Sequence, residues 1–200
     1  PGRNPYYDHL YSINFDGTGL ELLSPEDAFH QINASPCGNY VLDNYSRPDM
    51  PTVSMIRQLP SGEEVMKVSE ADIDDLLAMG WQPPIDLKLK ARDGETDIHG
   101  LLYRPAAFSA DSEYPLINYT YTGPQASIVP KTFSSALINI MLPFTEFGFA
   151  VMVVDGLGTA QRSLEFRSWS YRNIGSNTDC HVAAIEQLSE KYSWLDTDRV

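Results

Sequence analysis

No run in this sequence stays apolar for the roughly 18 residues that a membrane-crossing helix needs. Cysteine is scarce too. Cys37 and Cys180 are the only two, too few for a disulfide framework or a structural zinc site, so two free thiols are expected. Positive charge is in short supply: 14 Lys+Arg stand against 27 Asp+Glu, a net charge of −13 with a pI near 4.5. That balance excludes the basic footprint a nucleic-acid partner requires, and it argues against an anionic membrane surface. The chain opens PGRNPYYDHLY, without Met or a signal-like apolar segment, and closes on Asp198-Arg199-Val200 without a turn or cap. An internal piece of a longer protein is the expectation.

Several chemical signatures are also missing. His9, His30, His99 and His181 show neither H-E-x-x-H nor any other ligand spacing, so no metal and no cofactor is expected. There is no P-loop motif. Asp155-Gly156-Leu157-Gly158 lacks the third glycine of a dinucleotide fingerprint, because Gln161 occupies that place. No serine lies in G-x-S-x-G, the elbow that lifts a nucleophile above a hydrolase sheet. Cys180 and His181 are neighbours on a predicted helix, and adjacent helix residues do not face each other as a nucleophilic pair must. The chain carries no complete nucleophilic site.

What is present falls into two kinds of sequence. Residues 6–68 read as all-β. Tyr7, His9, Tyr11, Ile13 and Phe15 alternate at period two, and Asp16-Gly17-Thr18-Gly19 turns the chain into Leu20–Leu23. Phe29–Ala34 and Tyr40–Tyr45 flank one turn; Thr52–Leu59 and Val65–Val68 flank another. Short strands spaced this way fit a sandwich, a barrel or a propeller blade, and a free-standing small β domain remains an alternative. Ser69–Gly80 is a predicted linker helix with Ser69 as cap, Asp72 at capping-box distance, Gly80 past its end, and Ile73, Leu76 and Leu77 as its stripe. Its acids Glu70, Asp72, Asp74 and Asp75 read as a solvated face.

From Ile85 the pattern changes. Ile85–Ala91 alternates, Asp93-Gly94 turns, and Ile98–Tyr103 returns as a hairpin. Two continuous apolar runs follow, Pro115–Tyr121 and Ala150–Asp155, the mark of strands buried on both faces as in a parallel sheet. A helix is predicted from Thr132 to Phe147 with Pro143 as a kink or break. Another is predicted over Thr178–Tyr192, capped by Thr178, with Val182, Ile185 and Leu188 inward. In open α/β sheets chemistry gathers beyond the carboxyl ends of the strands. Those ends carry Tyr121-Thr122-Gly123-Pro124 and Asp155-Gly156-Leu157-Gly158-Thr159. A phenol at Tyr121 can donate into that cleft, as an oxyanion hole needs, or it can be a packing tyrosine with a satisfied hydroxyl.

The order of these motifs resembles the prolyl oligopeptidase family of serine peptidases, nearest its dipeptidyl peptidase IV branch. The likeness is carried by Leu10-Tyr11 with Asp16-Gly17, His30 with Ser35-Pro36-x-Gly38-x-Tyr40, and Tyr45-Ser46-Arg47. It continues through Lys90-Ala91-Arg92-Asp93-Gly94, Tyr103-Arg104-Pro105, Tyr121-Thr122-Gly123-Pro124-Gln125 and Val154-Asp155-Gly156-x-Gly158-Thr159. The resemblance implies that residues 1–68 are the last blade of a β-propeller and 69–84 a linker helix with a Pro-rich turn. It implies that 85–200 are the N-terminal part of an α/β-hydrolase domain. It makes Tyr121 the oxyanion-hole tyrosine. Asp196-Thr197-Asp198-Arg199-Val200 corresponds to the strand leading into the nucleophile elbow, so serine, aspartate and histidine of the triad are not in this chain.

The implied activity of the intact protein is release of N-terminal dipeptides from oligopeptides through an acyl-enzyme, with a post-proline preference. The substrate is a peptide, a homodimer is compatible, and the family leans to a periplasmic or extracellular setting. A non-catalytic peptide- or partner-binding protein and a related acylaminoacyl peptidase or esterase are the alternatives. Two departures bear on the cleft: Leu157 stands where the family usually has arginine, and Asn173-Ile174-Gly175-Ser176-Asn177 replaces an acidic, Leu-Gly-rich segment.

Overall fold

A computed structural model describes residues 3–121 and 123–200. The chain divides into two compact units, one formed by Pro1–Leu76 with Lys131–Leu137, the other by Leu77–Pro130 with Ile138–Val200.

The first unit is built on two antiparallel sheets. The smaller pairs β1 (Tyr11–Ser12) with β2 (Glu21–Leu22). The long alternation expected over Tyr7–Phe15 shrinks to this pair because Ile13 and Phe15 stand exposed and no face there is buried. The turn itself forms as read: Asp16 accepts from the backbone N–H of Thr18 at 2.9 Å and from its hydroxyl at 2.7 Å. The larger sheet is a meander of β3 (Phe29–Ala34), β4 (Tyr40–Arg47), β5 (Met50–Gln58) and β6 (Glu64–Glu70), in that order. Period two puts Val41, Asp43 and Tyr45 of β4, with Val53, Met55 and Arg57 of β5, on the covered face.

Two of those covered positions are charged, and they are paired. Arg57 Nε donates to Asp43 at 2.8 Å and Nη2 to Glu26 at 2.6 Å, while His30 Nδ1 lies 2.9 Å from Asp43. Glu26, His30 and Asp43 are close enough to share a cation. The Arg57 guanidinium already supplies the positive charge, which makes the cluster a buried ion network.

The linker helix is shorter than its punctuation suggested. β6 runs through Ser69, so that residue belongs to the sheet, and the helix is α1 (Asp74–Ala78) with no buried residue. Capping passes to Asp72, whose Oδ1 accepts the Asp74 N–H at 3.0 Å. The helix covering Thr132–Phe147 is likewise two pieces, α2 (Phe133–Leu137) and α3 (Leu142–Glu146). Pro143 lies in the first turn of α3, where its missing N–H costs no helical bond. α2 packs on β5 in the first unit, and its Phe133 N–H donates to Ser46 Oγ at 3.2 Å.

The second unit holds a five-stranded mixed sheet. Its strands are β7 (Ile85–Lys90), β8 (Asp97–Tyr103), β9 (Tyr114–Tyr119), β10 (Ala150–Asp155) and β11 (Leu195–Asp196), arranged β11-β9-β10-β8-β7. β8 pairs antiparallel with β7 on one side and β10 on the other, and β9 pairs parallel with both β10 and β11. The two apolar runs are therefore adjacent parallel strands, as expected. The Asp93 carboxylate secures the β7–β8 turn by accepting the N–H groups of Glu95 and Thr96 at 3.0 and 2.9 Å.

Every residue of β10 is buried, and its alternation sorts the core into two layers. Ala150, Met152 and Val154 join Leu87, Leu102, Leu116 and Leu188 on one face. Val151 and Val153 join Leu101, Tyr103 and Met141 on the other. Against the first layer lie α4 (Leu164–Ser168), through Phe166, and α5 (Thr178–Lys191). α5 covers the expected segment, but Thr178 is its first helical residue rather than its cap. A 3-10 turn running straight into the helix puts Asn177 in the cap position, with no side-chain capping bond. The inward face of α5 is Cys180, His181, Ala184 and Leu188, and Val182 is exposed. The polar histidine turns inward because hydrogen-bonding partners wait for it.

Candidate active site

β9 ends at Tyr119, and Tyr121 follows two residues later with its side chain 55% exposed. Thr122 of the same motif lies outside the described residues. Beside it, β10 ends at the fully buried Asp155. That carboxylate grips the loop which follows Tyr121: Oδ2 accepts the Ser127 hydroxyl at 2.5 Å and Oδ1 the Ile128 N–H at 3.0 Å. A backbone bond from Ala160 N–H to Ala126 O, 3.1 Å, runs between the same two loops. The segment just after the first turn is thus hydrogen-bonded to both ends of the second, through Ala126, Ser127 and Ile128.

The glycines of the second turn permit close packing. A Cβ on Gly156 would collide with the side chains of Asn177 and Cys180, so glycine lets the start of α5 approach the end of β10. Gly158 has φ +95° and sits against Ser170, while its N–H donates to Phe166 O at 3.0 Å. Leu157, where the resemblance would have had arginine, is fully buried in the apolar layer beneath. Asn173 precedes a short 3-10 turn, Ile174–Asn177, that leads directly into α5.

His181 was set aside in the sequence as half of a failed Cys–His pair, and the structure gives it other company. Cys180 packs into the apolar layer, and neither thiol is in a disulfide. The imidazole Nδ1 lies 2.7 Å from Asn118 Oδ1, while Nε2 faces Thr120 Oγ1 and Asn177 Nδ2, each at 3.2 Å. Asn118 Oδ1 is an acceptor, so Nδ1 carries the proton and Nε2 accepts. Burial pushes the imidazole down to about 4, which keeps it neutral. The available signal was its spacing: residues 181, 184 and 188 share a helix face, and hydropathy alone hid the histidine among them.

A cavity of about 780 Å³ opens beside Pro124 and Gln125, between them and Leu164, Arg167, Tyr171 and Arg172. The Arg172 guanidinium lies over the Tyr171 ring, 5.3 Å from its centroid. Two guanidinium groups on a chain of net charge −13 make this a local cationic spot. The acids Glu70, Asp72, Asp74 and Asp75 are all exposed, as a solvated face requires. Among the described residues no helix is long and apolar enough to cross a membrane.

No protein-family model matches the chain. Human dipeptidyl peptidase 8 is 25% identical to it over 205 aligned residues, covering 98% of this chain and 23% of its own length. A protein assigned as dipeptidyl-aminopeptidase B in Paracoccidioides brasiliensis is 26% identical, covering 96% of this chain and 21% of its own length. Among solved structures, a protein assigned as dipeptidyl aminopeptidase IV in Bacteroides ovatus superimposes with a TM-score of 0.78 at 26% identity, over 94% of this chain and 27% of that one. Dipeptidyl peptidase 4 of Porphyromonas gingivalis gives 0.76 at 22% identity, over 98% of this chain and 27% of that one. The chain spans less than a third of the length of each of these relatives.

Proposed function

Starting from the chain's place in the dipeptidyl peptidase IV branch of the prolyl oligopeptidase family, we propose that it is part of a serine exopeptidase releasing N-terminal dipeptides, with proline favoured before the cleaved bond. In this reading residues 1–68 are the last blade of a β-propeller, 69–84 the connecting helix and Pro-rich turn, and 85–200 the opening part of an α/β-hydrolase domain. The antiparallel meander of the first unit and the β7–β8 hairpin leading into a parallel pair support that division. The serine, aspartate and histidine of the triad come from the rest of the protein. The serine attacks the peptide carbonyl to form an acyl-enzyme, which water then hydrolyses.

Tyr121 supplies the oxyanion donor. The observation that carries this role is its placement: an exposed phenol just past a half-buried parallel strand, on a loop fastened by Asp155 to the end of the fully buried strand beside it. A donor fixed in advance is what stabilises charge that develops only in the transition state. The test is hydrolysis of a Gly-Pro chromogenic substrate by the intact protein and by Tyr121→Phe. Loss of the hydroxyl should lower kcat at least tenfold, about 1.4 kcal/mol. A smaller loss removes Tyr121 from the mechanism.

A non-catalytic peptide- or partner-binding protein is the second reading, favoured by Leu157 filling with apolar core the place where the resemblance would have had arginine. Covalent labelling of the intact protein by a serine-directed fluorophosphonate separates the two: the enzyme is labelled and the binder is not.

A further inference from the structure

The buried polar cluster around His181 does nothing that the fold alone demands. A leucine there would extend the apolar face that Ala184 and Leu188 already make. Instead α5 places an imidazole that is 2% exposed at the carboxyl end of β9. Its three partners are Asn118 on β9, Thr120 just past it, and Asn177 at the start of the helix. As placed, the donors and acceptors match a single tautomer: Nδ1–H to Asn118 Oδ1, with Nε2 accepting the Thr120 hydroxyl and the Asn177 amide. Thr120 is the residue directly before Tyr121. Two side-chain bonds close before the phenol, at Asn118 and Thr120, therefore come from one ring, beside the ladder pairing of Tyr119 with Val153.

On the far side of Tyr121 the loop is held by Asp155, through Ser127 and Ile128. The tyrosine thus sits between two anchors. One is a histidine ring on the helix side and the other a carboxylate at the end of the neighbouring strand.

We propose that His181 is a positioning residue for the reaction: its neutral ring clamps Asn118 and Thr120 to α5 and so aims the Tyr121 hydroxyl at the developing oxyanion. This rests on the role given to Tyr121 above. His181 touches no substrate. Its loss should lower kcat and leave KM nearly unchanged, because the interaction it serves exists only in the transition state.

The test is a double-mutant cycle on the intact peptidase with a Gly-Pro chromogenic substrate, using His181→Ala, Tyr121→Phe and the pair. His181→Ala should lower kcat by about fivefold or more, with KM within about twofold of wild type. With Tyr121→Phe already present, the same change should cost less than about twofold, since no hydroxyl is left to aim. His181→Asn, which can present an amide N–H towards Asn118 as Nδ1 does, should recover most of the rate. His181→Leu, apolar and of similar size, should not. Should His181→Ala fail to fold, Thr120→Val runs the same cycle at an exposed position, removing the hydroxyl bond alone.

Equal losses in both backgrounds, or no loss in either, overturn the positioning role. In those cases a Tyr121→Phe enzyme that has itself lost activity leaves the reading of Tyr121 standing. If Tyr121→Phe turns over at the wild-type rate, or the intact protein does not cleave the substrate, the earlier reading fails and this one falls with it.

Discussion

Asp155 offers a direct measure of how firmly the candidate site is tied down. Its carboxylate, in a fully buried position, accepts the Ser127 hydroxyl at 2.5 Å and the Ile128 N–H at 3.0 Å. Hydrogen bonds to a charged group contribute about 1.5–3 kcal/mol apiece, against about 0.5–1.5 for neutral ones. Asp155→Asn keeps the shape but has only one oxygen. If that oxygen stays with Ile128 N–H, the new NH₂ must donate to Ser127 Oγ, reversing that bond, and both lose charge assistance. The expected cost is about 1–3 kcal/mol. Asp155→Ala removes both bonds, leaves Ile128 N–H without its acceptor and opens space in the core, for about 3–5 kcal/mol.

Calorimetry on the intact protein, with amide exchange at Ile128, reads both quantities. Protection of Ile128 should fall in the order wild type, Asn, Ala, and the melting temperature should fall in step. Asn within about 0.5 kcal/mol of wild type, the range of an indifferent surface change, would refute the view that this carboxylate fastens the loop. An Ala variant no worse than Asn would refute it equally.

Other outcomes follow from the same geometry. Arg57→Met should destabilise the first unit by about 3–5 kcal/mol, because Asp43 and Glu26 lose the cation that neutralises them; thermal unfolding of the intact protein checks this. Gly156→Ala should cost at least about 1–3 kcal/mol by pressing a methyl group into Asn177 and Cys180, measured as a lowered melting temperature. His181 takes up its proton near 6.5 when unfolded and near 4 when folded, so stability should fall as pH drops through that interval. The slope is at most about 1.4 kcal/mol per pH unit. His99, also held near 4, adds a second slope of the same sign. Replacing His181 by Asn should remove its share from a series of melting curves between pH 4 and 7; an unchanged slope would contradict the assignment.

The parts of the fold legible in the sequence are those where burial writes a pattern. β10 is covered on both faces as its apolar run announced, whereas β9, expected to be buried alike, is only half-buried and fully covers Leu116 alone; Asp93-Gly94 announces the β7–β8 turn. Burial on one face gave β4 and β5 their alternation, but nothing in that alternation says that Asp43 and Arg57 take inward places, since their pairing joins residues far apart in the chain. Composition misled at α5, where counting apolar residues put Val182 on the inward face and passed over His181. The true face is set by Asn118 and Thr120, more than sixty positions earlier. Helix periodicity ran on through Thr132–Phe147 because a segment that packs on a different unit keeps its spacing while changing its neighbours. Tyr121 was visible as a strand-end tyrosine; the carboxylate that fastens its loop was not.

The seven residues Lys131–Leu137 have a further consequence for anyone who wishes to take the molecule apart. The backbone leaves the first unit after Leu76, returns at Lys131 and departs again after Leu137. No single cut can therefore release either unit whole. A gene trimmed at the first junction would yield a second-unit product trailing a helix whose seat is β5, and a meander missing the helix that packs on it. Dissection has to begin by grafting that helix onto the end of the meander and bridging Pro130 to Ile138 with a short linker.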